Sequence, residues 1–285
     1  MHEMGDPERG TIVRSARRAT WLAVVMIGML ARVRPRIART LAFAFIGTLG
    51  IAHGATDDAL LHRIGYRPRG GRVALSLTYG SLAIVTFIAA RRAPKTAART
   101  LFALSWLHFG SGDVAFARAC GSGAHSVNES FLRGALPLCI AGTDVRSRGV
   151  AILACLVAAQ HATRGEYADA LDLALPTLLL LLTPRRFGFA IYFGSWHAVR
   201  HTALLLERDS RGGTFARRAR RYVRESFGNV AIAVTTAAVA FAASPAISTR
   251  RAGGDAEDVF GALILAITVP HQIAVWLFER RTSAL

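Results

Sequence analysis

The chain has 285 residues, of which 52% are hydrophobic, and 35 lysines and arginines against 18 acidic residues give a net charge of +17. Long apolar stretches alternate with short arginine-rich connectors, which excludes an ordinary soluble domain whose helices are polar on one face. The arginines stand beside apolar segments without interleaved aromatic residues. This pattern argues against a nucleic-acid surface and favours binding to anionic lipid headgroups.

The N-terminal segment, residues 1–18, is polar and basic, and we expect it to be a cytosolic tail ahead of a membrane domain at 19–285. It does not read as a cleaved signal peptide, because more apolar segments follow. The three cysteines show no CxxC spacing and predict neither a disulfide framework nor a zinc ribbon.

Ten apolar segments follow in chain order: Trp21–Val33, Leu41–Ala55, Val73–Ala90, Leu101–Ala119, Phe131–Ala141, Val150–Ala162, Leu171–Leu182, Phe187–Leu206, Val230–Ala243 and Val259–Phe278. Several have the length of one bilayer crossing. The basic stretch Ser210–Arg224 is expected to be a connector, and it shares its charge with the tail Glu279–Arg281, which predicts a cytosolic C-terminus. The prediction is an all-α, multi-pass bundle of about eight to ten transmembrane helices in the plasma membrane.

Nine histidines are present, and four or five lie inside apolar segments. Ionisable residues at membrane depth are costly and indicate function, and imidazole is the commonest metal ligand. His197 and His201 are four residues apart, so a helix places both on one face, where they could ligate one ion. Taken alone, the pair is equally compatible with two hydrogen-bonded core histidines.

Two further histidines are each followed by an aspartate. His108 precedes Asp113, with glycines between them that permit close approach of another group, and His53 precedes Asp57 by four residues. Each carboxylate could hold an imidazole ring by accepting its second N–H. The alternatives are core packing for His108 and a helix end in the headgroup region for His53.

The remaining histidines differ in setting. His271 follows Pro270 and could satisfy a backbone carbonyl that the proline frees, so a structural role is favoured there. His2, His62, His125 and His161 lie in or beside polar segments and are expected to be solvated. Four imidazoles from three helices then suit iron, copper or zinc, and a site in hydrocarbon implies a lipophilic substrate.

Four short elements occur in a fixed order: His53-Gly54 with Asp57, His108-Phe109-Gly110 with Asp113, Trp196-His197 with Arg200-His201, and Pro270-His271. In this order, on a background of apolar helices, they resemble the Brp/Blh family of membrane β-carotene 15,15′-dioxygenases. The resemblance runs from His53 to His271.

The resemblance implies a reaction and a ligand set. The family cleaves the central double bond of β-carotene with O2 into two all-trans-retinal molecules, which serve microbial rhodopsins. Carried onto this sequence, ferrous iron would be held by His53, His108, His197 and His201, with no further catalytic residue. His271 would lie beside the metal ligands or in the pocket wall.

Several other side chains stand close to these motifs. Asp57 and Asp113 are expected to orient the ligands. The residues expected around the ligands or substrate are Trp106, Phe109, Trp196 and Arg200.

Two other functions stay open from the residues. A haem-binding electron-transfer protein is disfavoured because His197 and His201 share a face and cannot lie on opposite sides of one ring. A proton-coupled transporter is disfavoured because the sequence shows no matching halves. A di-iron desaturase would need an HxxHH box, which the sequence lacks.

Overall fold

The structure, a computed structural model, describes most of the chain. The described residues are 10–45, 48, 50–54, 56, 57, 60, 71–123, 125–139, 145–183, 185–209, 211–227, 231 and 256–282. They are almost entirely helical and contain no strand, so the all-α prediction is confirmed for the described part. The chain divides into two compact units, residues 1–50 with 106–215 and residues 51–105 with 216–285.

The helices follow the apolar pattern of the sequence. In chain order they are α1 (Thr11–Val33), α2 (Pro35–Phe45), α3 (Gly71–Arg92), α4 (Pro94–Ala119), α5 (Val127–Cys139), α6 (Val145–Thr163), α7 (Tyr167–Leu182), α8 (Arg185–Ile191), α9 (Ala198–Glu207) and α10 (Ala256–Thr282). A short turn at Ile51–Gly54 follows α2, and residues 215–227 are also helical. The π-helical turn Tyr192–His197 joins α8 to α9.

The first unit packs around α1. One face of α1 buries Val24 and Ile27 against Phe109, Tyr192 and other apolar side chains. A carboxylate closes the start of the helix, because Glu207 accepts hydrogen bonds from the backbone N–H groups of Gly10, Ile12 and Val13. An acid at this end also complements the helix dipole.

Two glycines let α4 and α5 approach at backbone distance. A Cβ at Gly110 would collide with the carbonyl oxygen of Ser130, and a Cβ at Gly134 would collide with the carbonyl oxygen of Trp106. Trp106 itself donates from Nε1 to the Phe131 carbonyl at 2.6 Å. Trp106 therefore holds α4 against α5. The sequence predicted this residue near the ligands or substrate and did not predict this structural role.

The second unit consists mainly of α3 packed along α10. Leu75 contacts Ala274 near one end, and Ala90 contacts Ala262 and Leu265 near the other. The alternation of small and large side chains allows the two helices to approach closely.

Most predicted segments are helices in the structure, with shifted ends. The first apolar segment extends backwards to Thr11, so part of the expected tail is helical. The segment predicted at Leu41–Ala55 is split between α2, which ends at Phe45, and the turn at Ile51–Gly54. The segment Val230–Ala243 lies outside the described residues apart from position 231.

By length and composition, one described helix, at Ala74–Arg92, qualifies as a membrane span, and a shorter apolar helical stretch covers Leu265–Phe278. Other helices expose apolar faces: on α1, Leu22, Met26 and Met29 are each at least 60% exposed. These three residues recur at the spacing of one helical face.

Candidate metal centre

Three of the predicted histidines meet in the first unit. The rings of His108, His197 and His201 are all buried, on α4, at the end of the π-helical turn and on α9. Nε2 of His108 lies 3.0 Å from Nε2 of His197. The ring centroid of His201 is 6.2 Å from that of His108 and 6.1 Å from that of His197.

One of the glycines after His108 lies beside these rings. A Cβ at Gly112 would lie 3.5 Å from Cε1 of His197, an ordinary contact distance. A larger side chain at this position would press directly on the imidazole. The glycines after His108 thus serve two contacts, Gly110 for the neighbouring helix and Gly112 for the histidine.

Four stacked rings form a ladder along the segment from α8 to α9. Phe189, Phe193, His197 and His201 follow one another at intervals of four residues. Successive ring centroids are 6.0, 6.0 and 6.1 Å apart, with interplanar angles of 11°, 22° and 25°. Phe109 adds an edge contact to His197 at 4.8 Å. The ladder runs from the partly exposed Phe189 to the buried histidines.

A buried ion network holds the segment that carries His197 and His201. The guanidinium of Arg200 lies 3.5 Å from the ring centroid of Trp196 and donates to Asp172 at 2.6 Å and to Thr20 at 3.1 Å. Asp172 also accepts from Arg17 and Trp21. Arg200 and Trp196, expected near the site, therefore tie the histidine-bearing segment to α1 and α7.

Asp113 binds different partners from those predicted. The sequence suggested that it orients an imidazole, but its carboxylate accepts from the Tyr192 hydroxyl at 3.3 Å and from Nε1 of Trp196 at 3.4 Å. Both donors belong to the π-helical turn. Asp113 therefore fixes that turn, and through it the position of His197.

The second unit assembles the other two motifs. Asp57 accepts from the Tyr79 hydroxyl at 2.8 Å, and its two oxygens lie 2.9 and 3.0 Å from Nδ1 of His271. The ring of His53 packs edge-on against that of His271, with centroids 5.0 Å apart. The carboxylate that the sequence assigned to His53 thus holds His271. His271 therefore belongs to this group of contacts. Gly54 lies beside it, since a Cβ at this glycine would be 3.8 Å from Nδ1 of His271.

The histidine pair of the first unit fits a metal ion. Two nitrogens that ligate one ion at right angles, each about 2.1 Å away, lie about 3 Å apart. The observed separation of the two Nε2 atoms is 3.0 Å. Without an ion the same distance is a hydrogen bond between two neutral imidazoles, in which one donates and the other accepts.

A second histidine cluster was not predicted from the sequence. His125 and His161 were expected to be solvated, but both are buried, and with Glu129 they place three donor atoms within 4.8 Å of one another. Burial alone would raise the pKa of Glu129, but the hydrogen bond from His125 and the charge of Arg133 outweigh it and lower the pKa to about 2. The glutamate and Arg133 are four residues apart on α5, and that spacing was the available signal. His2 and His62, which were also expected to be solvated, lie outside the described residues.

Comparison with known proteins identifies the family. The profile described as beta-carotene 15,15′-dioxygenase matches residues 44–147 and 143–279. The "Probable beta-carotene 15,15′-dioxygenase Blh" of Halobacterium salinarum is 26% identical over 346 aligned positions, which cover 97% of this chain and 96% of the relative. No solved structure matches. The chain belongs to the β-carotene 15,15′-dioxygenase family of carotenoid-cleaving enzymes.

Proposed function

We propose that this enzyme cleaves β-carotene, or a closely related carotenoid, at the central double bond with O2. One C=C bond breaks and each half gains one oxygen atom, so that one carotene and one O2 give two all-trans-retinal molecules. The observation that supports this most directly is the buried pair His108 and His197, whose Nε2 atoms are 3.0 Å apart beside a ladder of aromatic rings.

We propose ferrous iron as the metal, held by His53, His108, His197 and His201. Four neutral imidazoles leave the ion cationic and leave coordination positions for other ligands. Bound iron would activate dioxygen. The choice of iron is supported by the family resemblance and by the donor set. Copper and zinc share the same donors, and mass spectrometry of the metals in the purified protein separates them from iron.

The protein's own groups have three tasks in this proposal. Asp113 and Arg200 hold the segment that bears His197 and His201, through Tyr192, Trp196 and Asp172. Their hydrogen bonds keep the rings in one orientation, which preserves the metal geometry. Apolar packing around the rings excludes water.

The ring ladder provides a path for the substrate. A conjugated polyene is flat and apolar, and it packs well on aromatic faces. Phe189 and Phe193 present stacked rings in line with His197, and Phe189 is partly exposed. We propose that the polyene approaches along these two rings, so that its central bond comes next to the histidines.

We propose that the fourth ligand, His53, is held by the group around it in the second unit. Its ring packs against His271, and Asp57 and Tyr79 hold His271 in turn. A carboxylate that accepts the imidazole N–H fixes the ring and raises its basicity. His271 therefore acts as a positioning residue for His53.

The proposed location is the plasma membrane, as a multi-pass protein. The apolar helix at Ala74–Arg92, the exposed apolar face of α1 and a water-insoluble substrate support it. Retinal released into the bilayer would be available to a retinal-binding rhodopsin in the same membrane.

The proposal is tested by expression in a bacterium that accumulates β-carotene. The wild-type chain should bleach the cells and leave retinal in the extract. Each of the four variants His53→Ala, His108→Ala, His197→Ala and His201→Ala should lower retinal by at least about tenfold, because one lost ligand empties or distorts the site.

The matched control is His2→Ala, which changes the same residue type at the N-terminus and should form retinal at the wild-type level. Wild-type cells that keep their colour, or four variants as active as the wild type, would contradict the proposal. An intense Soret band in the purified protein would instead indicate haem.

A further inference from the structure

The first unit contains a second group of potential metal ligands. Nδ1 of His125 lies 2.9 Å from Oε1 of Glu129, and Nε2 of His161 lies 3.3 Å from the same oxygen. The side chains of His125, Glu129 and His161 are each no more than 10% exposed. Two ligands of a tetrahedral ion, each about 2.05 Å from it, lie about 3.3 Å apart. The His161 spacing matches this value, the His125 spacing is shorter, and the three donor atoms lie within 4.8 Å of one another. The same Oε1 also accepts from Nε and Nη2 of Arg133 at 2.9 and 2.7 Å.

Both histidines have a carboxylate behind the ring. The second nitrogen of His161, Nδ1, lies 2.6 Å from Oε2 of Glu166. The second nitrogen of His125, Nε2, lies 3.9 Å from Oδ1 of Asp169. Metal-bound histidines usually donate their second N–H to a carboxylate, which fixes the tautomer and strengthens the ligand. The His161–Glu166 pair has this arrangement, whereas Asp169 lies beyond hydrogen-bond distance of His125.

Within the described residues, Nε2 of His125 is buried and has no hydrogen-bond partner. A buried polar atom without a partner is costly unless something completes its surroundings. A metal on Nδ1 would polarise the ring and strengthen the attraction of its remaining N–H to Asp169.

Charge also favours a cation at this place. Four carboxylates, those of Glu129, Glu166, Asp169 and Asp172, stand against three guanidiniums, those of Arg17, Arg133 and Arg200. With neutral histidines the network is one negative charge in excess. Buried charge without compensation is unfavourable, and a divalent cation supplies it.

We propose that His125, Glu129 and His161 form a zinc site that is independent of the histidines at the proposed iron centre. The three ligands come from different parts of the fold: the connection that follows α4, the first turn of α5 and the end of α6. Glu166 begins α7 and orients His161. The ion is structural and joins these segments, as zinc does when protein side chains fill its coordination sphere.

The test is a metal analysis of the purified full-length protein in detergent, by mass spectrometry of zinc and iron. The wild type is equilibrated with micromolar zinc chloride and freed of unbound metal. It should retain about one zinc per chain, and His125→Gln and His161→Gln should each retain less than about a fifth of that amount. His2→Gln should match the wild type.

The same protein provides a second measurement if a variant fails to fold. Zinc should raise the melting temperature of the chelator-treated wild type by at least about 4 °C, because a ligand that binds only the folded state stabilises it. A wild type that neither retains zinc nor melts higher with it would overturn the proposal. So would zinc that is lost in His108→Gln and kept in His161→Gln, which would place the ion at the other histidines. None of these outcomes depends on whether the chain cleaves a carotenoid.

Discussion

Asp172 is the buried acid on which the packing of α1, α7 and α9 converges. It accepts from Arg200 at 2.6 Å, from Trp21 at 2.7 Å and from Arg17 at 3.0 Å, and its side chain is fully enclosed. In Asp172→Asn the amide keeps one acceptor oxygen but loses the negative charge. Arg17 retains Asp169 as a partner, whereas among the described residues Arg200 forms an ion pair with Asp172 alone.

Asp172→Asn should destabilise the fold because Arg200 loses the charge that compensates it. A buried charge deprived of its partner destabilises a fold by about 3–5 kcal/mol. For a chain of this size each kcal/mol lowers the melting temperature by about 2–4 °C, so Asp172→Asn should melt roughly 10 °C below the wild type. Thermal unfolding in detergent, followed by circular dichroism, measures the shift.

The double variant Asp172→Asn/Arg200→Met is the matched control. Removing both charges leaves no uncompensated ion, and methionine still packs on Trp196. The double variant should therefore lose about 1–3 kcal/mol less unfolding free energy than the two single variants lose together. Additive losses, or a single variant that melts within about 2 °C of the wild type, would refute the assignment of Asp172 as the central partner.

Three smaller changes test other contacts. Gly134→Ala forces a Cβ into the Trp106 carbonyl and should lower the free energy of unfolding by about 1–3 kcal/mol. The control Gly149→Ala, in α6 with open space around it, should be neutral or slightly stabilising. Equal stability of the two variants would contradict the close approach of α4 and α5. Gly112→Leu should lower bound iron by pressing on His197, and unchanged iron would show that the glycine serves no such purpose. Phe193→Ala should lower kcat/KM for carotene about tenfold with iron retained, since the ring ladder is broken; an unchanged kcat/KM would remove the ladder from the substrate path.

The sequence predicted those features that depend on local spacing. The helices containing His108 and His271 fall where apolar stretches of sufficient length occur. The pair His197 and His201 lies on one side of its segment, as four-residue spacing in a helix predicts, and the two rings are 25° from parallel. These outcomes follow from the period of the helix and need no knowledge of distant contacts.

Contacts between distant segments were predicted less well. Asp57 was assigned to His53 by its spacing, but it binds His271, which lies 214 residues later in the chain. Asp113 was assigned to an imidazole, but the π-helical turn brings Tyr192 and Trp196 to it. A wide turn of this kind leaves no clear signal in the residue pattern, because one added residue changes the faces that follow.

Burial of the second histidine cluster was missed for a related reason. His125 and His161 lie in polar stretches, and polarity suggested exposure to solvent. The opposite outcome arises because their neighbours are charges that pair with one another, Glu129 with Arg133 and Asp169 with Arg17. A sequence shows that such charges are present, but it does not show which of them meet.

The most direct test of the central claim is the iron content of the purified protein. The wild type should hold about one iron per chain, and His53→Ala, His108→Ala, His197→Ala and His201→Ala should each hold less than about a tenth of that, in parallel with the loss of retinal. His125→Ala should keep its iron. A wild type that forms retinal without iron, or four variants that keep both iron and activity, would contradict the account.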